Sequence, residues 1–343
     1  MRSLTYVEPG VIAWQDAPEP VLAQEHAALV RPLAVARCDL DPIQGAFGIF
    51  PGPFPVGHET VAEVTALGSD VAGLHVGDLV LVPFQVSCGG CGACREGRFG
   101  GCQTYPARAG AAFGFGAAGG GHGGAMSDLL LVPHAQHMLV PAPRSIPAAA
   151  LATLPDNVVD GYRTVGRHLA ERPGSDVLVV GGAAASIGLY AVACAVALGA
   201  GSVRYIDSDD ERLAVAARLG AQAIRHDGDW PPSFDRAGIV IENTGTAQGL
   251  ECAVRSTDAY GYLTSVAIHF TPAALPLLQM YTRGITFHTS RADSRAYLPE
   301  VLALLEAGRL DPLAVPTHVV DWDGADEAWL EPGIKLVLSR PPA

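Results

Sequence analysis

The sequence predicts an α/β chain of more than one domain, with a β-rich first part followed by an open, doubly wound parallel sheet. Three observations carry this. At 343 residues the chain is long enough for about two cores. Short apolar runs bounded by Gly and Pro fill the first 150 residues. Beyond Leu151, strand patterns alternate with helical spacing, which right-handed crossovers turn into a parallel sheet.

The early strands are Ala27–Ala34, Thr60–Leu67 and Asp78–Pro83, with turn signals at Gly68-Ser69-Asp70 and Val76-Gly77-Asp78. The Gly- and Ala-rich tract 109–124 reads as an irregular loop. Helical spacing runs over Val158–Leu169. A buried strand, Asp176–Val180, then leads through a glycine turn into a helix at Ser186–Leu198. The strand Ser202–Asp207, a helix over Asp210–Leu219, and strands at Gly238–Glu242 and Tyr262–Ile268 continue the alternation. A helix at Leu298–Ala307 and β-like segments at Thr317–Val320 and Lys335–Leu338 close the chain.

Composition narrows the function. Nearly half the residues are apolar and 17% are charged, so a sizeable core is available. The net charge of -13 gives no electrostatic footprint for nucleic acid or an anionic membrane. No apolar run reaches the ~18 residues of a transmembrane helix, and Met1–Tyr6 lacks a signal-peptide core. A cytoplasmic protein without membrane or nucleic-acid partners is the expectation. Seven cysteines are present, four of them within fifteen residues, a pattern that in a reducing compartment favours metal over disulfides.

Those four form C-x2-C-x2-C-x7-C, at Cys88, Cys91, Cys94 and Cys102. Four thiolates at about 2.3 Å close a tetrahedral zinc site, and with no open position such a zinc is structural. The intervening glycines let the backbone bend and turn NH groups towards sulfur.

The spacing, preceded by Gly57-His58-Glu59 and followed by a dinucleotide fold, resembles the zinc-dependent alcohol dehydrogenases of the medium-chain dehydrogenase/reductase superfamily. The resemblance covers nearly the whole chain. It implies a GroES-like catalytic domain over 1–157 and 291–343, a Rossmann domain over 158–290, and an active cleft between them. It also implies a second, catalytic zinc with three protein ligands and one open position. Cys38 and His58 match the first two ligands, although alone each reads more readily as a core residue. Asp156, in Leu154-Pro-Asp156, matches the members that use Asp as the third; it could also serve as a helix N-cap. Asp41 matches a carboxylate that orients His58 through its other ring nitrogen. Glu59 matches an acid that approaches the metal during ligand exchange, and Phe84 a wall of the substrate pocket.

The chain departs from the family after Cys38. Leu40 and Ile43 stand where relatives carry a proton-relaying hydroxyl and a histidine. Asp160, four residues past Asp156, is the expected substitute on one helix face, with His122 of the glycine loop a second candidate.

The strand Val177–Val180 runs into Gly181-Gly182-Ala183-Ala184-Ala185-Ser186-Ile187-Gly188, an imperfect version of the pyrophosphate turn at a helix N-terminus. Asp207, 19 residues past Gly188, is placed to bind the adenosine ribose and repel a 2′-phosphate, so NAD is expected over NADP. Arg212 is a partner for the ribose or for the neighbouring acids. By resemblance, Val266, Ile268 and Phe287 hold the nicotinamide carboxamide through backbone contacts, and Lys335 contacts the pyrophosphate. Asp39 sits where some relatives carry a pyrophosphate-binding Arg, which weakens that clamp.

These features imply an NAD-dependent zinc oxidoreductase, with two zincs per chain, that moves a hydride between an alcohol or carbonyl and the cofactor. Relatives imply a homodimer or homotetramer. Two alternatives stay open: a C=C or C=N reductase with only the structural zinc, and a nucleotide-binding protein without turnover.

Overall fold

Val, Leu and Ala dominate Ala28–Arg37, a ten-residue strand that is almost continuously buried. It sits inside a seven-stranded sheet rather than at its edge. The computed structural model describes residues 1–107, 110–315 and 317–342. The chain divides into two compact units.

The first unit comprises Met1–Val159, Asp293–Ala303 and Thr317–Ala343. In its large sheet the strands run in the order Thr317–Asp321, Lys335–Ser339, Ala28–Arg37, Glu59–Leu67, Leu79–Val82 and Val140–Pro141, with Leu130–Val132 also pairing to Ala28–Arg37. All pairs are antiparallel except that of the two C-terminal strands. A small second sheet joins Val11–Asp16, Arg2–Glu8 and Phe54–Pro55. Val30, Val35, Val64 and Val82 pack with Phe113, Met126, Trp329 and Leu338 into one core. The glycine-rich tract is an irregular loop with one short 3-10 turn, Gly116–Gly119; its first residue, Ala109, lies outside the described residues.

The second unit comprises Asp160–Ala292 and Leu304–Pro316. Its six parallel strands run Gln222–Arg225, Val203–Asp207, Val177–Val180, Ala237–Glu242, Thr257–Ser265, Thr286–Thr289. Numbered within the unit this is 3-2-1-4-5-6, the Rossmann order, and the fold class read from the sequence is the one found. The order reverses between Val177–Val180 and Ala237–Glu242, where ligands bind beyond the carboxyl ends of such sheets.

The sequence placed all of 291–343 in the first domain. In the structure Leu304–Pro316 clusters with the second unit, where Arg309 donates to the Ala197 carbonyl at 2.6 Å. The helix expected over Val158–Leu169 is broken. A π turn, Leu154–Val158, runs into Val159–Arg163, and a separate helix covers Gly166–Glu171.

Candidate functional site

The cysteine lobe folds around a four-residue helix, Gly92–Arg95. The sulfurs of Cys88, Cys91, Cys94 and Cys102 all lie within 4.8 Å of one another. Backbone NH groups approach them: Cys91 N reaches Cys88 Sγ at 3.3 Å and Gln103 N reaches Cys91 Sγ at 3.4 Å. The Thr104 hydroxyl lies 3.0 Å from Cys88 Sγ. Such donors favour thiolate, and the NH groups of Cys94 and Gln103 pull Cys91 down to about 6. Burial works the other way on Cys94, pushed up to about 12. A shared dication resolves that conflict by stabilising all four thiolates together. The donor set therefore fits a closed zinc site.

A second group gathers at the ends of two adjacent strands and in the π turn. Cys38 follows directly on the strand Ala28–Arg37, and Ala36 is paired with Glu59 in the neighbouring strand. Cys38, His58, Glu59 and Asp156 each place a ligand atom within 4.8 Å of the others. His58 is buried and neither ring nitrogen has a hydrogen-bond partner. Its Nε2 lies 3.4 Å from Asp156 and its Nδ1 3.8 Å from Asp41, longer than a hydrogen bond. The second carboxylate oxygen of Asp41 accepts from Cys38 N at 2.9 Å. Phe84 and Phe115 stand 5.6 and 4.9 Å from the His58 ring. Asp156 lies within the π turn, one residue into it beyond Pro155, and the cap position is held by Thr153.

Charge crowding makes this group a candidate cation site. Burial, with Asp156, Asp41 and Glu59 nearby, pushes the Cys38 thiol well above its usual range. Burial likewise raises Asp41 and Glu59. Burial alone would lower His58, but Asp41 and Asp156 outweigh it and raise its pKa. Acids packed this closely out of water are unfavourable unless a positive charge sits among them. A thiolate, an imidazole with unpartnered nitrogens and a carboxylate are a donor set suited to zinc.

Glycine shapes the backbone here. Gly57, just before His58, has φ +90°, and a Cβ on it would lie 2.9 Å from the Met126 nitrogen. Gly114 lies against the Gly57 carbonyl, which also accepts from Ala125 N at 2.7 Å. The glycine-rich loop thus packs backbone to backbone against the turn that presents His58.

Three expectations need correcting. Lys335 does not stand free to meet a pyrophosphate: it is 1% exposed, with Nζ 2.8 Å from both oxygens of Glu59 and a further bond to Asn157 Oδ1. Strand pairing explains this, because Leu336 is registered with Arg37 and so brings Lys335 to the Cys38 end of the sheet. Asp160 is not poised as a proton acceptor. It is buried in an ion pair with Arg163, which also donates to the Ser290 carbonyl at 2.8 Å. The π turn, bonded i to i+5, also removes the α-helical meaning of its four-residue spacing from Asp156. His122 stacks edge-on with Tyr105 and Phe113, in a pocket lined by Met1, Ser3 and Ser127 rather than among the metal donors.

In the second unit, the turn Gly181–Ala184 leads into the helix Ala185–Ala197 at the switch point of the sheet. Ala184 and Ile187 pack with Val266 and Ala267. A Cβ on Gly245 would sit 3.7 Å from Ala183 and 3.6 Å from the Ile268 carbonyl. A Cβ on Gly182 would meet Thr244 Cα at 2.6 Å, and one on Gly188 the Asn243 amide at 3.1 Å. Ser186 is buried at the start of the helix. The glycine turn and helix start therefore lie together with Val266 and Ile268, as expected. Phe287, on the edge strand Thr286–Thr289, pairs with Leu263 and packs partly buried against the core, so it does not join them.

Asp207 ends its strand almost wholly buried. Arg212 grips both its oxygens, at 2.9 and 2.7 Å, while Tyr205, Ser208 N and Asp209 N also donate to it. Sequence reasoning missed Glu242, the matching residue of the fourth strand. Glu242 accepts from Thr244, Gly245, Ser265 and His269. A carboxylate closing the apolar run Ile239–Ile241 was the available signal. Asn157 and Phe115 were also missed; one is an amide in a π turn, the other an aromatic in a loop, and neither has a spacing signature.

Comparison with known proteins places this geometry. Residues 24–144 match the alcohol dehydrogenase GroES-like domain and 186–307 the zinc-binding dehydrogenase family. A protein named a probable zinc-binding alcohol dehydrogenase in Mycobacterium tuberculosis is 30% identical, over 96% of this chain and 84% of its own length. This chain belongs to the zinc-dependent alcohol dehydrogenases of the medium-chain dehydrogenase/reductase superfamily. A glutathione-independent formaldehyde dehydrogenase of Pseudomonas aeruginosa is 33% identical, over 76% of this chain and 65% of that one. The alcohol dehydrogenase of Thermus sp. ATN1 superposes with a TM-score of 0.87 at 27% identity, covering 99% of both chains. The chain is thus an alcohol dehydrogenase-type oxidoreductase of the zinc-binding family. No helix among the described residues is long and apolar enough to cross a membrane.

Proposed function

We propose that this dehydrogenase interconverts a small alcohol and its carbonyl, with NAD as hydride carrier and two zinc ions per chain. The observation that carries the reading is the buried cluster of Cys38, His58, Glu59 and Asp156. Cys38, His58 and Asp156 would hold the catalytic ion, and Cys88, Cys91, Cys94 and Cys102 the structural one. When bound, the catalytic zinc supplies Lewis-acid polarisation of the substrate oxygen. The chain itself keeps water out: Phe84 and Phe115 flank His58 with apolar rings and favour a small substrate. Asp41 holds the Cys38 turn by its backbone NH.

On the nucleotide side, the Asp207 carboxylate supports NAD, because a second negative charge from a 2′-phosphate is repelled there. Arg212 and Tyr205 hold that carboxylate in place. Cysteines kept as metal-binding thiolates fit a reducing, cytoplasmic setting. A homodimer through the strand Thr286–Thr289 is the proposed assembly. That strand ends the sheet, and the neighbouring helix Leu277–Arg283 buries none of its residues, leaving Leu277, Leu278 and Tyr281 exposed.

Elemental analysis of protein purified without added metal tests the reading first. Two zincs per chain are expected, with one lost in Cys38→Ala and the other in Cys91→Ser/Cys94→Ser. A screen of short alcohols and aldehydes should then show turnover with NAD and little with NADP. A single zinc that survives Cys38→Ala would overturn the catalytic-metal reading and favour a C=C or C=N reductase, to which the apolar Leu40 and Ile43 already lend some support. Light scattering that returns a monomer would remove the assembly.

A further inference from the structure

Glu59 is a fourth donor in a site that needs only three. A carboxylate this close to Cys38, His58 and Asp156 has the reach to complete a tetrahedron, and a completed tetrahedron has no position for a substrate. Nothing about Glu59 itself prevents that. It is fully buried, so water does not compete for its oxygens.

What occupies those oxygens is Lys335. Its ammonium lies 2.8 Å from each of them, and its remaining donor goes to Asn157 Oδ1. An ammonium has three donors, so this one is saturated. With both partners buried, the lysine has no route to solvent, and the pair is not weakened by water as a surface ion pair is. Asn157 extends the link: its amide nitrogen lies 4.0 Å from Cys38 Sγ. Strand register fixes the arrangement. Ala36 pairs with Glu59 on one side, Arg37 pairs with Leu336 on the other, and Cys38 follows next in the chain. Lysine, glutamate and thiol are therefore delivered to one end of the sheet by backbone hydrogen bonds.

Charge points the same way. Cys38, Asp41, Glu59 and Asp156 are four acidic groups in one buried region, and Arg37 and Lys335 are the fixed cations facing them. With a dication present the region is close to neutral. Without Lys335 one carboxylate is in excess, and the dication is its nearest source of compensation.

We propose that Lys335 is a positioning residue that holds Glu59 off the metal, so that Cys38, His58 and Asp156 alone are ligands and a fourth position stays open to exogenous ligands. This rests on the catalytic-zinc reading above.

The test is cobalt(II) substitution of the full-length protein, read by visible absorption during an azide titration. The cysteine lobe contributes the same bands to every variant, so the azide-dependent change reports the Cys38 site. Wild type and Lys335→Arg should respond to azide. Lys335→Met should bind cobalt at both sites yet respond with azide affinity lowered by about tenfold or more. Glu59→Gln/Lys335→Met should regain the response, because the competing carboxylate is gone. If Lys335→Met does not fold, Lys335→Gln removes the charge while keeping a donor, and the same loss is expected of it. An unchanged azide response in a lysine variant that carries both metals overturns the proposal. So does a double variant that stays as unresponsive as the single one. A wild type that binds cobalt only at the lobe overturns the metal reading itself, and the latch with it.

Discussion

His137 lies beneath the cysteine lobe, with Nε2 2.9 Å from the Ser87 hydroxyl and its ring 4.9 Å from Phe99. Burial, together with Arg295 and His134, pushes its pKa down to about 4. An unfolded histidine titrates near ~6.5. Between those two values the unfolded chain binds a proton that the folded one does not, so stability falls as pH drops through that window. Below about 4 the folded form is protonated as well and this contribution stops growing. Thermal melts from neutral to mildly acidic pH should therefore slope downwards, and His137→Gln should flatten part of that slope. Parallel curves for the two proteins would assign the acid sensitivity elsewhere. Burial also lowers His134, His168 and His288, so some slope should remain in the variant.

The metal donors show what residue-level reading can and cannot reach. The cysteine spacing was legible because four thiolates close in sequence leave little else for the chain to do. Cys38, His58 and Asp156 were legible only through the resemblance, since the fold brings them together from separate stretches of the chain. Lys335 was misassigned for the same reason. Its partner is set by the pairing of Leu336 with Arg37, and no local pattern in the sequence encodes a strand register.

At the scale of elements, the π turn and the helix after it illustrate the difference between pattern and packing. Apolar spacing over Val158–Leu169 announced one helix, and the structure has two. Gly161 shows what the first of them is packed against. A Cβ there would lie 2.7 Å from the Ala191 nitrogen and 2.8 Å from the Tyr190 carbonyl carbon, both in the helix Ala185–Ala197. Ala has the better helix propensity, by about 1 kcal/mol, so an exposed site would gain from Gly161→Ala. Here the contact is backbone, which cannot rotate away, and the substitution should cost about 1–3 kcal/mol instead. Urea unfolding should show a lower midpoint with an unchanged slope. A midpoint equal to or above the wild type would mean that the helices separate at little cost.

The four inner strands of the parallel sheet were legible, because parallel strands buried on both faces read as largely apolar runs. Val177–Val180 and the stretch Ile239–Ile241 are of this kind. The short edge strands Gln222–Arg225 and Thr286–Thr289 were not recognised as such. They are polar and partly exposed, so they lack the signal that marked the others. The N-terminal hairpin Arg2–Glu8 and Val11–Asp16 escaped notice similarly, since only one of its strands is buried.

Over the whole molecule, charge decides how the cofactor is met. The chain carries -13 at neutral pH, and a dinucleotide brings two further negative charges at its pyrophosphate. The turn Gly181–Gly188 has no basic side chain. Arg212 is committed to Asp207, and Lys335 to Glu59. Asp39 adds an acid where some relatives carry an arginine. On the proposed function, what attracts the pyrophosphate is therefore the helix N-terminus and its NH groups, a short-range interaction at close contact. The long-range term is repulsive, and salt screens it beyond ~10 Å at 0.1 M. Raising salt from roughly 0.05 to 0.5 M should leave NADH affinity unchanged or improve it, mainly through faster association. Fluorescence titration and stopped-flow binding across that range would show it. Affinity that falls several-fold with salt would mean that a basic group does reach the phosphates, and Arg212 released from Asp207 would be the first residue to replace.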